Sequence, residues 1–222
     1  MSCPVNDEGG SSTPVARESM PAPVKEPLTR QLAYFQAENS PGVYAPRNWS
    51  CRAWFGSSGS TLLVTPRRIE PPYFPLPSIP GPAITIQTWD SASPGRFHIA
   101  LVAAQLFPLL GDEIITRVRQ EHLISEASFD RESRPDDQIS YPTDRLVQYS
   151  TPAQRTGLGT DGLLQMSTLP IRGLAALNPQ SEVNALTEVR VRLPADQQAV
   201  QEAIMQLETA CLQLKQGCRG LQ

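Results

Sequence analysis

Lysine is almost missing from this chain: Lys25 and Lys215 are the only two among 222 residues. Arginine carries the remaining positive charge, nowhere in a cluster larger than Arg67-Arg68, and 19 basic residues stand against 22 acidic ones. That balance provides no basic stripe of the kind that tracks a nucleic-acid backbone. Histidine is as scarce, with His98 and His122 alone, and Cys-x-x-Cys does not occur. Together these exclude the zinc-finger ligand patterns. The longest uninterrupted apolar run, residues 99–104, is far short of the ~20 residues that span a bilayer. No run resembling the apolar core of a secretion signal occurs in the first thirty residues. The chain as it stands is therefore expected to be cytosolic, already processed, or short of its native start.

What is present is clearest at residues 186–217. Val189, Val191 and Leu193 alternate with Glu188, Arg190 and Arg192, a period of two that predicts a strand with one apolar and one charged, solvated face. Pro194 stops the strand and suits the first turn of a helix. Val200, Ala203, Ile204, Leu207, Ala210, Cys211 and Leu214 then recur at three and four residues. They predict one buried helical stripe, ended by Gly217 as a C-terminal cap.

Cysteine usage bears on compartment. Cys3, Cys51, Cys211 and Cys218 allow three pairings. Two turns of continuous helix would separate Cys211 from Cys218 by ~10 Å, beyond the ~7 Å that a disulfide can bridge, so that pair requires a chain reversal at Gly217. The expected pairing is Cys3–Cys51 with Cys211–Cys218, against the alternative of four free thiols. Oxidised pairs would point outside the cytoplasm.

Elsewhere the elements come in blocks. Residues 1–27 hold five prolines and no aromatic residue, too little apolar surface to offset ordering entropy, so a disordered arm is expected there. Residues 28–37 suggest a short helix. Residues 50–65 suggest a hairpin around Gly56-Ser57-Ser58-Gly59. Residues 66–82 contain seven prolines interleaved with Tyr73, Phe74, Leu76 and Ile79. They read as an internal linker packed on the domain, rather than as a polyproline ligand. A strand at 83–88 precedes a helix capped by Ser93 and Pro94 and apolar over 97–107. A second helix over 112–123 places Ile114, Ile115, Val118 and His122 on one side. Strands near 146–149 and 171–177 lead to the terminal pair. The expected architecture is α+β, a mainly antiparallel sheet packed by three or four helices, with residues 28–222 as a single domain.

Motifs that resemble chemistry fail on context. Gly157, Gly159 and Gly162 have G-x-G-x-x-G spacing, but no strand directly precedes them and no helix follows, as pyrophosphate binding requires. The Gly56–Ser60 stretch offers serine nucleophiles, although a strand rather than a helix follows. A serine-dependent hydrolase would use Ser58 or Ser60 with His122. Asp112-Glu113 and Asp136-Asp137 are adjacent rather than convergent acids, better suited to capping and solvation than to metal or glycoside chemistry. Asn48-Trp49-Ser50 matches a glycosylation sequon, which matters only in a secreted eukaryotic chain.

The expected function is therefore that of a non-catalytic extracytoplasmic protein, binding or structural, without metal or cofactor. The alternatives are the hydrolase and a cytosolic interaction module such as an inhibitor or immunity-type partner. Ligand contacts would come from Ser57 and Ser58 in one loop and Thr160 and Asp161 in another, should the two meet. A protein partner would use an uncovered edge strand.

Overall fold

Ten strands and three helices make up this computed structural model, which describes residues 1–6, 28–37, 40–70, 76, 78–129, 134–160, 163–183 and 185–213. The strands are β1 (Val5–Asn6), β2 (Leu32–Phe35), β3 (Val43–Pro46), β4 (Ser50–Gly56), β5 (Gly59–Thr65), β6 (Ala83–Trp89), β7 (Gln138–Thr143), β8 (Leu146–Thr151), β9 (Ile171–Leu177) and β10 (Leu186–Arg192). The helices are α1 (Gly95–Leu106), α2 (Asp112–Gln120) and α3 (Gln198–Gln213). Seven strands form an antiparallel sheet in the order β4-β5-β6-β10-β9-β8-β7, while β2 and β3 pair separately. The fold is α+β, as the block pattern predicts.

β10 sits at the centre of the sheet and is covered on both faces. On one face α3 lays Val200, Ala203, Ile204 and Leu207 against Val189, Val191, Ile84, Ile86 and Leu62. Full burial of Ile204 makes Ile204→Ala an expected loss of about 3 kcal/mol; a thermal melt unchanged by it would remove the stripe from the core. On the other face α1 and α2 bring Ile99, Ala103, Leu106, Ile114 and Val118 onto Val147, Ala175, Leu177 and Leu186. Tyr149 lies flat across Gly173, where an added Cβ would fall 2.1 Å from the ring. Farther along that same face, Trp54, Leu63 and Ala83 meet Leu163, Leu164 and Ile171 in a third cluster.

This double coverage corrects the reading of β10. Glu188, Arg190 and Arg192 were expected in water, yet they are 5%, 2% and 0% exposed. Alternation marks a half-wet strand only where one face is left open.

Other corrections are local. The helix expected at 28–37 is a single turn, Leu28–Gln31, followed by β2; three longer helices remain among the described residues. Pairing of β2 with β3 satisfies the backbone of a segment too short to hold a helix by itself. Helix α2 ends at Gln120, and His122 adopts a left-handed φ of 52°. That reversal breaks the helical period and leaves His122 exposed rather than on the inner face. The Ser93 hydroxyl accepts from the Gly95 N–H at 3.1 Å just ahead of α1, where Pro94 takes the capping position. Of the proline-rich segment, Ile79 bridges to Leu164 and packs with the third cluster; residues 71–75 and 77 lie outside the described residues.

The arm is not loose at its start. β1 pairs in parallel with β4, Val5 opposite Ala53 and Asn6 opposite Trp54. The Cys3–Cys51 disulfide, with Cα atoms 5.3 Å apart, pins it to that edge. The remainder of the expected disordered arm, residues 7–27, lies outside the described residues. At the opposite edge stands β7, exposed throughout even at Ile139 and Tyr141, bulged between Ser140 and Thr143, and carrying Pro142. Both features blunt an edge against a further strand.

Candidate functional site

The buried charges of β10 organise a polar seam between the two apolar clusters on the α1–α2 face. Cross-strand register places Glu188 beside Gln87, which itself neighbours Thr61. The Glu188 carboxylate accepts from His98 Nε2 at 2.8 Å and Trp89 Nε1 at 3.0 Å on one oxygen, and from Arg190 Nη2 at 2.9 Å on the other. Burial alone would raise the Glu188 pKa. The charge of Arg190 and the His98 and Trp89 hydrogen bonds outweigh it and lower the pKa to about 2. Arg190 also donates to Gln87 Oε1 at 2.5 Å and to the Leu158 carbonyl at 3.4 Å.

Arg192, fully buried, has three carbonyls as acceptors: Gly81 at 2.7 Å, Gln165 at 2.6 Å, and Ile79. Burial pushes its pKa down. The side chain thereby ties the proline-rich segment and residue 165 to the central strand.

Within the seam Trp89 is half-buried, and His98 reaches towards water with its side chain 34% exposed. Its ring stacks on Trp89 with centroids 4.0 Å apart. Because an ionised carboxylate only accepts, His98 Nε2 carries a proton. A carboxylate that orients a histidine is one half of a nucleophile-activating arrangement. The other half is not assembled among the described residues, where the Glu188 contact is the side-chain hydrogen bond His98 makes.

The serines expected to act do not complete it. Ser60 is buried, its hydroxyl 2.7 Å from Thr88 Oγ1 and 3.2 Å from Ser40 Oγ, on the α3 face of the sheet. Ser57 and Ser58 form the two-residue turn between β4 and β5, and the Ser58 carbonyl accepts from the Asp90 N–H at 3.1 Å. No hydrogen bond joins Ser58 or Ser60 to His122 among the described residues. Thr160 closes a small turn on Gly157; Asp161 and Gly162 lie outside the described residues. Thr151 stands level with Arg192 in the sheet register, whereas the Ser57–Ser58 turn lies at the Leu186 end. Six residues of strand separate those levels, roughly 20 Å at ~3.4 Å per residue, so the two loops do not form one cleft. No group of three or more His, Cys, Asp or Glu could hold a metal among the described residues.

A cavity of about 340 Å³ opens instead at the disulfide-pinned edge. Phe35, Trp49 and Ile69 give it apolar walls, Ser50 a hydroxyl, and Arg52 and Arg68 two guanidiniums; Cys51 also lines it. Among the described residues its lining contains no carboxylate. Arg68 pairs only loosely with Glu70, at 3.9 Å and with both side chains mostly in water. Sequence reading passed over this site because its residues come from the arm, β2, β4 and the loop after β5, which only the folded edge brings together. Comparison with known protein families, characterised proteins and solved structures yields no match.

Proposed function

We propose that this chain is a non-catalytic extracytoplasmic binding or structural protein, with residues 28–222 acting as one unit. The Cys3–Cys51 bond carries that reading: a cross-link between the first residues and a sheet edge persists where thiols are kept oxidised. No cysteine is free among the described residues. Among them, too, no helix is long and apolar enough to cross a membrane. Cys211 lies buried in the α3 core, and Cys218, its expected partner, is outside the described residues.

Binding by strand addition has little support, since β1 occupies part of one edge and Pro142 with its bulge interrupts the other. The hydrolase alternative has less, because the Ser60 hydroxyl is engaged by Ser40 and Thr88. The reading predicts that protein taken from its source, alkylated with and without reductant, gains modified cysteines only after reduction. It also predicts that a fluorophosphonate probe labels no serine. Four cysteines alkylated without reductant would sink the compartment, and labelled Ser58 or Ser60 would sink the absence of catalysis.

A further inference from the structure

We propose that residues 1–6 are a disulfide-locked cover on the β4 edge, and that reduction of Cys3–Cys51 opens that edge to β4 of a second copy of this chain. This goes beyond the binding reading above and shares with it only the disulfide. The two edges of the sheet are protected by different means. β7 carries its own protection, a bulge and Pro142. β4 contains neither proline nor lysine, and it pairs with β5 in unbroken register from Ser50 to Gly56. A regular strand of that kind is a template for another strand unless something covers it.

What covers it is short. β1 pairs Val5 with Ala53 and Asn6 with Trp54, and the Pro4 carbonyl accepts from the Ala53 N–H at 2.9 Å. Ahead of β1, the Cys3 N–H donates to the Gln36 carbonyl and the Gln36 N–H to the Met1 carbonyl, each at 3.0 Å. The same six residues therefore join the end of β2 to β4. Pairing over two residues is too short to persist by itself, so the covalent bond holds it. Cys3 is buried in the core cluster under α3, and Val5 packs against that cluster. Departure of the cover bares apolar surface together with the Ala53 N–H, and an identical edge covers both again. An antiparallel β4–β4 pair is self-complementary and, with β7 blunted at the far edge, closes at two copies.

The lock is reachable. Cys51 is half-buried and lines the cavity at this edge, whereas Cys3 is enclosed. A small dithiol enters at Cys51. Its thiolate attacks Cys51 Sγ, the S–S bond breaks, and Cys3 leaves as a thiolate that takes up a proton. The second thiol of the reagent then displaces Cys51, which is protonated in turn, and the reagent departs as its cyclic disulfide.

Sedimentation and light scattering across protein concentration would compare the oxidised full chain with Cys3→Ser/Cys51→Ser, which leaves Cys211 in place. Hydrogen exchange reads the Ala53 N–H in both. The oxidised parent should hold monomer mass with that amide protected. The double variant should double in mass as concentration rises. Its Ala53 amide should exchange at least tenfold faster than the parent's when dilute and regain protection in the dimer. Adding Ala53→Pro to the double variant removes the donor and should restore monomer mass. Dithiothreitol on the parent should reproduce the dimer, so a double variant that fails to fold leaves the test intact. Monomer mass at every concentration after loss of the disulfide, a dimer indifferent to Ala53→Pro, or an oxidised parent that dimerises as readily would each overturn the proposal. Such a result with the parent's Cys3–Cys51 bond intact removes the lock alone. Cys3 and Cys51 alkylated without reductant, in protein taken from its source, would remove the compartment reading with it.

Discussion

Stability measured across pH should peak near pH 4.5 and decline by about 5 kcal/mol by pH 8, chiefly through one buried carboxyl. Glu208 lies on α3 at 1% exposure, and Glu208 Oε1 accepts from the Tyr44 backbone N–H at 2.7 Å. Burial raises its pKa from 4.5 to about 8, against a smaller opposing effect of the Tyr44 hydrogen bond. The folded protein therefore keeps this proton up to about pH 8, whereas the unfolded chain releases it near 4.5. Between those values the unfolded state binds fewer protons, so stability falls as pH rises. At about 1.4 kcal/mol per pH unit, the interval from 4.5 to 8 gives the figure quoted.

Below pH 4.5 the slope reverses. Glu188, lowered to about 2, contributes stability that is present above 4.5 and is lost as pH falls through 2, about 3 kcal/mol over the interval. Glu121, lowered by its Arg96 hydrogen bond, acts in the same direction. Chemical denaturation at unit pH steps checks the peak. Glu208→Gln retains an oxygen for Tyr44 and cannot ionise. It should match the parent at pH 4 and exceed it by about 3 kcal/mol at pH 7. A parent profile level from pH 5 to 8 would show that the carboxyl finds solvent or a cation in the folded state.

Periodicity revealed much of this fold, and coverage decided where it misled. The period of two in β10 and the stripe in α3 were legible because each pattern needs only its own segment. The β4–β5 hairpin was legible because Gly56 and Gly59 bracket a two-residue turn, and Gly59 at φ 148° takes a backbone shape that other residues rarely adopt. The burial of Glu188, Arg190 and Arg192 was not legible, because a charged alternation looks the same whether water or a second layer faces it. One signal was available: the helical segment after this strand and the two helical segments over 95–123 each require a sheet face. β7 escaped because Pro142 disqualifies a central strand and only an edge tolerates it. The Cys3–Cys51 pair was legible as an option. The cavity it supports needed the edge to be assembled first.

Replacing Glu188 with alanine should destabilise the protein by about 3–5 kcal/mol, the range for removing one member of a buried charge pair. Three donors lose their acceptor at once: Arg190 Nη2, His98 Nε2 and Trp89 Nε1. Arg190, 2% exposed, keeps Gln87 and the Leu158 carbonyl but loses the charge of Glu188. Arg190→Met should be less severe, for Glu188 still accepts from His98 and Trp89 and can take up a proton as its pKa rises. The double variant Glu188→Leu/Arg190→Met removes both charges and fills the same volume with apolar atoms. It should recover most of the loss, leaving the unpaired His98 and Trp89 donors as the residual cost of about 1–3 kcal/mol. Denaturation at pH 7 on the four proteins yields the coupling directly. Single variants within about 1 kcal/mol of the parent would mean that water already reaches this carboxylate. The acid limb provides an independent check, since the loss of stability between pH 4.5 and 2 should shrink in Glu188→Ala while the fall above pH 4.5 persists. A seam held only by packing would leave both limbs in place.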